Sequence, residues 1–76
     1  MRRVGTVVRT AGGLAIARAE TGEEPPRIGS AVVDDSLSTV GRVVDVFGPV
    51  DQPYVAVTPG SDVGLAALVG GKLYAR

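Results

Sequence analysis

Apolar residues in this chain recur in short runs separated by Gly- and Pro-containing segments. Six segments share the Val-rich or alternating pattern that is typical of strands: residues 3–9, 14–18, 31–33, 39–47, 54–58 and 72–75. The Gly12-Gly13 and Asp34-Asp35 pairs lie between runs and predict turns. Two hairpins are expected, one from the first two strands and one from the third and fourth.

The second run alternates Leu14 and Ile16 with Ala15 and Ala17, the pattern of a strand with one buried face. The segment that follows, residues 21–26, combines two adjacent glutamates with two prolines, which cannot donate to a sheet ladder. It therefore predicts a mobile surface loop.

The fourth run, residues 39–47, carries apolar residues on both faces. Strict alternation would group Val40, Val44 and Val46 on one face, and Val43 and Phe47 on the other. Two explanations fit this pattern: a β-bulge near Gly41 changes the facing, or another structure covers the outer face.

Leu65, Leu68 and Val69 have helix-like spacing within residues 63–69, which predicts a short helix before the last strand. Six short strands favour a closed barrel, because closure removes the unpaired edges of an open sheet. We therefore expect an all-β fold, a small six-stranded closed β-barrel of the translation or reductase-isomerase-elongation-factor-like kind. A chain of 76 residues has room for one domain, residues 1–76.

Composition narrows the range of functions. Eight Lys and Arg balance eight Asp and Glu, so no net charge draws the chain to nucleic acid, and Cys and His are absent. The absence of Cys and His excludes thiolate nucleophiles, disulfides, Cys/His zinc sites and a histidine base. We expect a non-enzymatic cytoplasmic protein with no cofactor, metal, small-molecule substrate or membrane span.

Two groups of polar residues have alternative interpretations. Asp34 and Asp35 suggest metal binding or acid-base chemistry, but adjacent strand residues point to opposite faces, so turn formation is favoured. Arginine binds phosphates and stacks on bases, but acidic residues are interspersed with the arginines, which favours an ordinary solvated surface over an RNA groove.

The segment 45–55 is harder to explain as an ordinary turn. Two prolines stiffen it, and Phe47 and Tyr54 flank it. Stiff loops lose little entropy on docking, and aromatic anchors supply much of the energy at protein interfaces. From the residues alone, an interface role and a core role for the two aromatics are equally favoured.

This segment resembles the signature of the Gar-type subunit of H/ACA ribonucleoproteins, Gly-x-Val-x-Asp-Val-Phe-Gly-Pro-Val followed by Pro-Tyr-Val-x-Val-x-Pro. The matching residues are Gly41, Val43, Asp45, Val46, Phe47, Gly48, Pro49 and Val50, then Pro53, Tyr54, Val55, Val57 and Pro59. Three flanking motifs occur in the same order as in the family: a start with Gly5 and Val7, an Ile-Gly-Ser before Val33-Asp34, and a closing Gly-x-Leu-Tyr. The resemblance thus covers nearly the whole chain.

The resemblance implies a six-stranded barrel that binds the catalytic subunit of a pseudouridine synthase and contacts the guide RNA particle only indirectly. It further implies that the protein helps substrate RNA load and leave by acting on a mobile loop of the synthase. The interface residues it implies are Val46, Phe47, Gly48, Pro49, Val50, Pro53 and Tyr54. The alternative is an independent RNA-binding barrel in ribosome maturation or translation, and the seven arginines are what suggest it.

Overall fold

The computed structural model describes residues 2–22 and 24–76, and it is a closed antiparallel barrel. Its elements are β1 (Arg2–Ala11), β2 (Leu14–Arg18), β3 (Ala31–Asp34), β4 (Thr39–Phe47), β5 (Tyr54–Pro59), α1 (Leu65–Leu68) and β6 (Lys72–Ala75). The strands close in the order β1-β2-β5-β4-β3-β6. The predicted all-β barrel, both hairpins and the short helix are confirmed.

Two β-bulges determine which residues of β4 reach the core. Opposite β3, Val40 is an extra residue between the paired Thr39 and Gly41, and opposite β5, Val44 is an extra residue between the paired Val43 and Asp45. A bulge shifts the alternation of side chains by one position. Val40, Val43 and Val46 therefore all pack in the core, while Val44 and Phe47 are each 39% exposed.

The facing expected for β4 from strict alternation is consequently wrong, because it grouped Val43 with Phe47 and Val40 with Val44. Of the two explanations, the bulge next to Gly41 is confirmed. At Gly41 the backbones of β4 and β5 also approach closely, and a Cβ there would overlap the carbonyl oxygen of Thr58.

The core consists mainly of Val and Ala side chains from all six strands. Val55 and Val57 of β5 point into it and are fully buried. The expectation that β2 buries only one face is wrong, since Ala15, Ile16 and Ala17 are all buried. Ile16 faces outward, so other side chains must cover it.

The segment 21–26 lies outside the strands, as predicted, but it is not wholly a surface loop. Pro26 is buried and Pro25 is half-buried. Glu23, which belongs to the same prediction, lies outside the described residues.

The antiparallel order gives the barrel two distinct ends. The helix end carries α1, the Gly12-Gly13 turn and the turn after β3, and Leu65 and Leu68 of α1 pack against the core there. The loop end carries the start of β1, the end of β6 and the connections after β2 and β4. In the described part of the chain, no helix has the length and apolarity needed to cross a membrane.

Candidate protein-interaction site

The loop of residues 48–53 connects β4 to β5 at the loop end of the barrel. Gly48 has a φ of 92°, a left-handed conformation that glycine adopts without steric cost. The amide of Gln52 donates to the carbonyl of Pro49 at 3.3 Å and closes a turn within the loop. The residues between the two strands are therefore folded into a compact turn.

Backbone hydrogen bonds attach this loop to the connection after β2. The amide of Ala19 donates to the carbonyl of Pro53 at 3.0 Å, and the amide of Gly22 donates to the carbonyl of Asp51 at 3.1 Å. Pro49 and Pro53 add fixed φ angles. The loop is thus constrained along its length and has little conformational freedom to lose on binding.

Phe47 and Tyr54 form the last cross-strand pair of β4 and β5, and their rings stack at the base of the loop. Their ring centroids are 5.6 Å apart, with an interplanar angle of 23°. Aromatic pairs at this distance contribute about 0.5–1.5 kcal/mol beyond the burial of their area. A Cβ at Gly48 would lie 2.9 Å from Cδ2 of Tyr54, so the ring also restricts that position to glycine.

Two arginines flank the same tyrosine. The guanidinium carbons of Arg9 and Arg18 each lie 6.0 Å from the Tyr54 ring centroid, within the range of a cation–π interaction. Arg18 Nη2 also donates to Gln52 Oε1 at 3.0 Å, which connects β2 to the loop. The sequence does not show that these two arginines approach Tyr54, since only the register of β2 against β5 places Arg18 opposite Tyr54.

The outer face of β2 and β5 next to these side chains carries buried apolar residues. Ile16 pairs with Arg9 on one side and with Ala56 on the other, and all three face away from the core. Ile16 is nevertheless only 4% exposed and Ala56 only 2% exposed. Tyr54 and the arginine stems next to them on the same face are the side chains positioned to cover them.

The predicted interface residues divide into an exposed group and a more buried group. Phe47, Gly48, Pro49 and Val50 are exposed, and Val50 is 95% exposed. Tyr54 is half-buried, Pro53 is buried, and Val46 is half-buried against the core. The two aromatics thus lie on the outer face of the barrel, whereas Val46 packs against the core.

Asp34 organises the turn at the helix end, as the turn interpretation of Asp34-Asp35 predicts. Its Oδ1 accepts hydrogen bonds from the Ser36 hydroxyl at 2.7 Å, the Ser36 amide at 2.9 Å and the Ser38 amide at 3.0 Å. The Ser36 hydroxyl, and after it the Ser38 amide, lower the pKa of the Asp34 carboxyl. Within residues 2–22 and 24–76, no three His, Cys, Asp or Glu side chains are grouped as metal ligands would be.

The chain is thus a small closed antiparallel barrel that presents a constrained, partly apolar loop at one end. The family profile described as the Gar1/Naf1 RNA binding region matches residues 1–76. The chain therefore belongs to the Gar1 family of H/ACA ribonucleoproteins, as the sequence motif indicates.

An uncharacterized protein of Methanocaldococcus jannaschii is 41% identical to the chain over 51 residues. The matched region covers 67% of this chain and 58% of that protein, so the chain spans little more than half the length of this curated relative.

Proposed function

We propose that the chain is a non-catalytic subunit of an H/ACA RNA-guided pseudouridylation particle, and that it binds the pseudouridine synthase subunit through residues 47–54. In this role it helps substrate RNA to load and product RNA to leave, and it works in the cytoplasm. The observation that carries the proposal is the constrained loop with Pro49 and Val50 exposed at its tip. Membership of the Gar1 family supports the assignment to this particle.

The loop has the physical properties of a docking element. Val50 exposes nearly its whole side chain beside the exposed Phe47 and Pro49, so the tip offers an apolar surface to a partner. The stacked Phe47 and Tyr54 hold the base of the loop in place. A standard interface buries about 800 Å² on each partner, so we expect the contact to extend from the tip onto the outer face of β4, where Val44 is 39% exposed.

A double substitution tests the contact. Pro49→Asp with Val50→Lys places two charges at the tip and should abolish co-purification with the synthase. The matched control is Ser61→Asp with Leu37→Lys, which makes similar changes at exposed positions of the helix end. Circular dichroism should report a folded β protein for both variants. Retention of the synthase by the folded loop variant would refute the proposed contact.

The second candidate is an independent RNA-binding barrel, and the arginines that flank Tyr54 favour it. Salt titration separates the two functions. An independent RNA binder holds guide RNA at about 150 mM salt and loses affinity steeply as salt rises. The synthase-binding subunit, tested as the free chain, shows no measurable binding to guide RNA at that salt concentration.

A further inference from the structure

Cations and acids are divided unevenly between the strands and the connections of this barrel. The neighbouring strands β1, β2, β5 and β4 together contain one acid, Asp45, and the cations Arg2, Arg3, Arg9, Arg18 and Arg42. Most of the other acids lie in the connections between strands. This part of the barrel wall is therefore cationic, although the chain as a whole carries no net charge.

Two of these cations lie on the Tyr54 ring, beside the loop of the candidate site. The guanidinium carbons of Arg9 and Arg18 are each 6.0 Å from the ring centroid, and both residues are exposed. The salt bridge found among residues 2–22 and 24–76 joins Arg3 to Glu20 and involves neither arginine. The ring thus carries two exposed cationic groups with no acidic partner in the described chain.

Both guanidinium groups are held in place, and both keep donors for a further ligand. A guanidinium is planar and has five N–H donors, so contact with an aromatic face leaves the donors at its edge available. Arg18 uses Nη2 to donate to Gln52, and Arg9 makes no hydrogen bond with the residues that the structure describes. Groups that are already positioned lose less entropy when they bind a partner.

The surroundings of this arginine pair favour a protein partner over RNA. Proteins hold single-stranded RNA largely by stacking its bases on aromatic rings. Tyr54 already stacks on Phe47 with ring centroids 5.6 Å apart, and two guanidinium groups approach the same ring. A base could stack there only by displacing one of these side chains. Phe47 and Tyr54 also belong to the proposed synthase contact, so the arginine pair adjoins a loop that suits a protein.

We propose that Arg9 and Arg18 bind carboxylate groups on the surface of the synthase, beside the contact made by the loop tip. This inference rests on the proposed function and adds the charge of the surface that the partner presents. Arginine binds carboxylates through paired hydrogen bonds, and complementary charges speed association and fix the orientation of two partners. The arginine pair orients the synthase on the barrel, while the apolar tip supplies contact area.

The test measures the association and dissociation rates of the full chain and the purified synthase at about 50 and 500 mM salt. Arg9→Met with Arg18→Met removes two charges and keeps apolar stems of similar length. It should raise Kd about tenfold at the lower salt concentration, mainly through slower association, and should flatten the salt dependence. The matched pair Arg27→Met with Arg76→Met removes the same charge beside β3 and β6, across the barrel from β2 and β5, and should change Kd less than about threefold.

Single substitutions separate charge from loop order and from apolar contact. Gln52→Met removes the hydrogen bond of Arg18 without changing the charge, so the salt dependence should persist. Arg9→Glu should bind more weakly than Arg9→Met at low salt, and the two should converge at high salt because ions screen the repulsion. On an apolar partner surface, Arg9→Met would instead bind at least as tightly as the original chain. These Arg9 variants break no hydrogen bond of the described chain, so they decide the matter if the double variant does not fold.

The inference is overturned if the folded Arg9→Met and Arg18→Met variant keeps the original rates and salt dependence, or loses no more affinity than the matched pair. It is also overturned if these arginines instead bind a uridine dodecanucleotide to the free chain at about 150 mM salt, or hold two copies of the chain together in sedimentation. The Pro49→Asp and Val50→Lys variant tests the proposed function separately. Loss of the synthase by that variant, with unaffected arginine variants, would remove the arginine contact and leave the proposed function standing.

Discussion

At Gly41 the absence of a side chain lets two strands approach more closely than any other residue would permit. A Cβ there would overlap the carbonyl oxygen of Thr58, a backbone atom that cannot move without disturbing the pairing of β4 with β5. Gly41 also lies next to the Val40 bulge that sets the facing of β4. Its place in the family signature thus has a steric explanation.

We predict that Gly41→Ala lowers the free energy of unfolding by about 1–3 kcal/mol, because forced overlap in a packed region is relieved only by backbone shifts. Chemical denaturation measures the change. Gly64→Ala is the control, since a Cβ at Gly64 has no atom within 4 Å and should change stability by less than about 0.5 kcal/mol. Equal stability of the two variants would contradict the steric explanation.

Asp34 makes the stability of the turn after β3 dependent on pH. Hydrogen bonds from Ser36 and Ser38 hold the pKa of its carboxyl below the ordinary value of 3.8. A carboxyl whose pKa is lower in the folded state contributes stability that is fully present above its unfolded pKa and is lost as pH falls through the folded value.

We predict that Asp34→Asn is less stable than the original chain at about pH 7 and that the difference shrinks below about pH 4. Urea unfolding at stepwise lower pH measures it. Asp35→Asn removes the same charge one residue away without removing a hydrogen bond seen in the described residues, and it should not reproduce this convergence. A difference that persists undiminished in acid would show that the charge of Asp34 is not the cause.

At the scale of elements, the positions of the strands could be predicted from sequence more reliably than their facing. Val-rich runs between turn residues are a local signal, and the strands form where those runs lie. The facing of β4 depends on two bulges, at Val40 and Val44, that arise only against its neighbours β3 and β5. No periodicity within residues 39–47 could show that Val43 and Val46 share the inner face.

The candidate site, too, could be predicted from the sequence only in part. Phe47 and Tyr54 could be identified because they flank a stiff loop in one stretch of sequence. Whether their side chains lie in the core or on the surface could not be predicted, because this depends on the Val44 bulge. The proximity of Arg9 and Arg18 to Tyr54 could not be predicted, because it arises only from the pairing of β1, β2 and β5.

Helix α1 is short, and its contribution comes from side chains that pack against the core at the helix end. Leu68 is half-buried against the core cluster, while the next residue, Val69, is 49% exposed. We predict that Leu68→Ala lowers the free energy of unfolding by about 1–2 kcal/mol, less than the 2–5 kcal/mol typical of a fully buried leucine. Thermal or chemical unfolding measures it, and Val69→Ala, which removes mainly exposed surface, should cost less than half as much.

At the scale of the whole molecule, a neutral chain concentrates its cations by closing the barrel. Arg2, Arg27 and Arg76 are separated by most of the sequence and meet only because β6 pairs with both β1 and β3. Composition and net charge alone could not show that these three arginines lie together.

The proposed role in RNA loading and release makes a prediction about the assembled particle. A subunit that changes the equilibrium of a mobile synthase loop must bind its states with different affinity, because equal affinity shifts nothing. Such a subunit acts on steps that depend on opening and closing, which often limit turnover.

Omitting this chain from a reconstituted particle should therefore slow multiple turnover more than it slows conversion of prebound RNA in a single turnover. The two rates are measured with and without the chain, and a particle carrying the Pro49→Asp and Val50→Lys variant should behave as though the chain were missing. If omission leaves both rates unchanged, the chain acts only as a cover on the synthase. If it slows both equally, the effect lies in the chemical step, and the loading and release role must be abandoned.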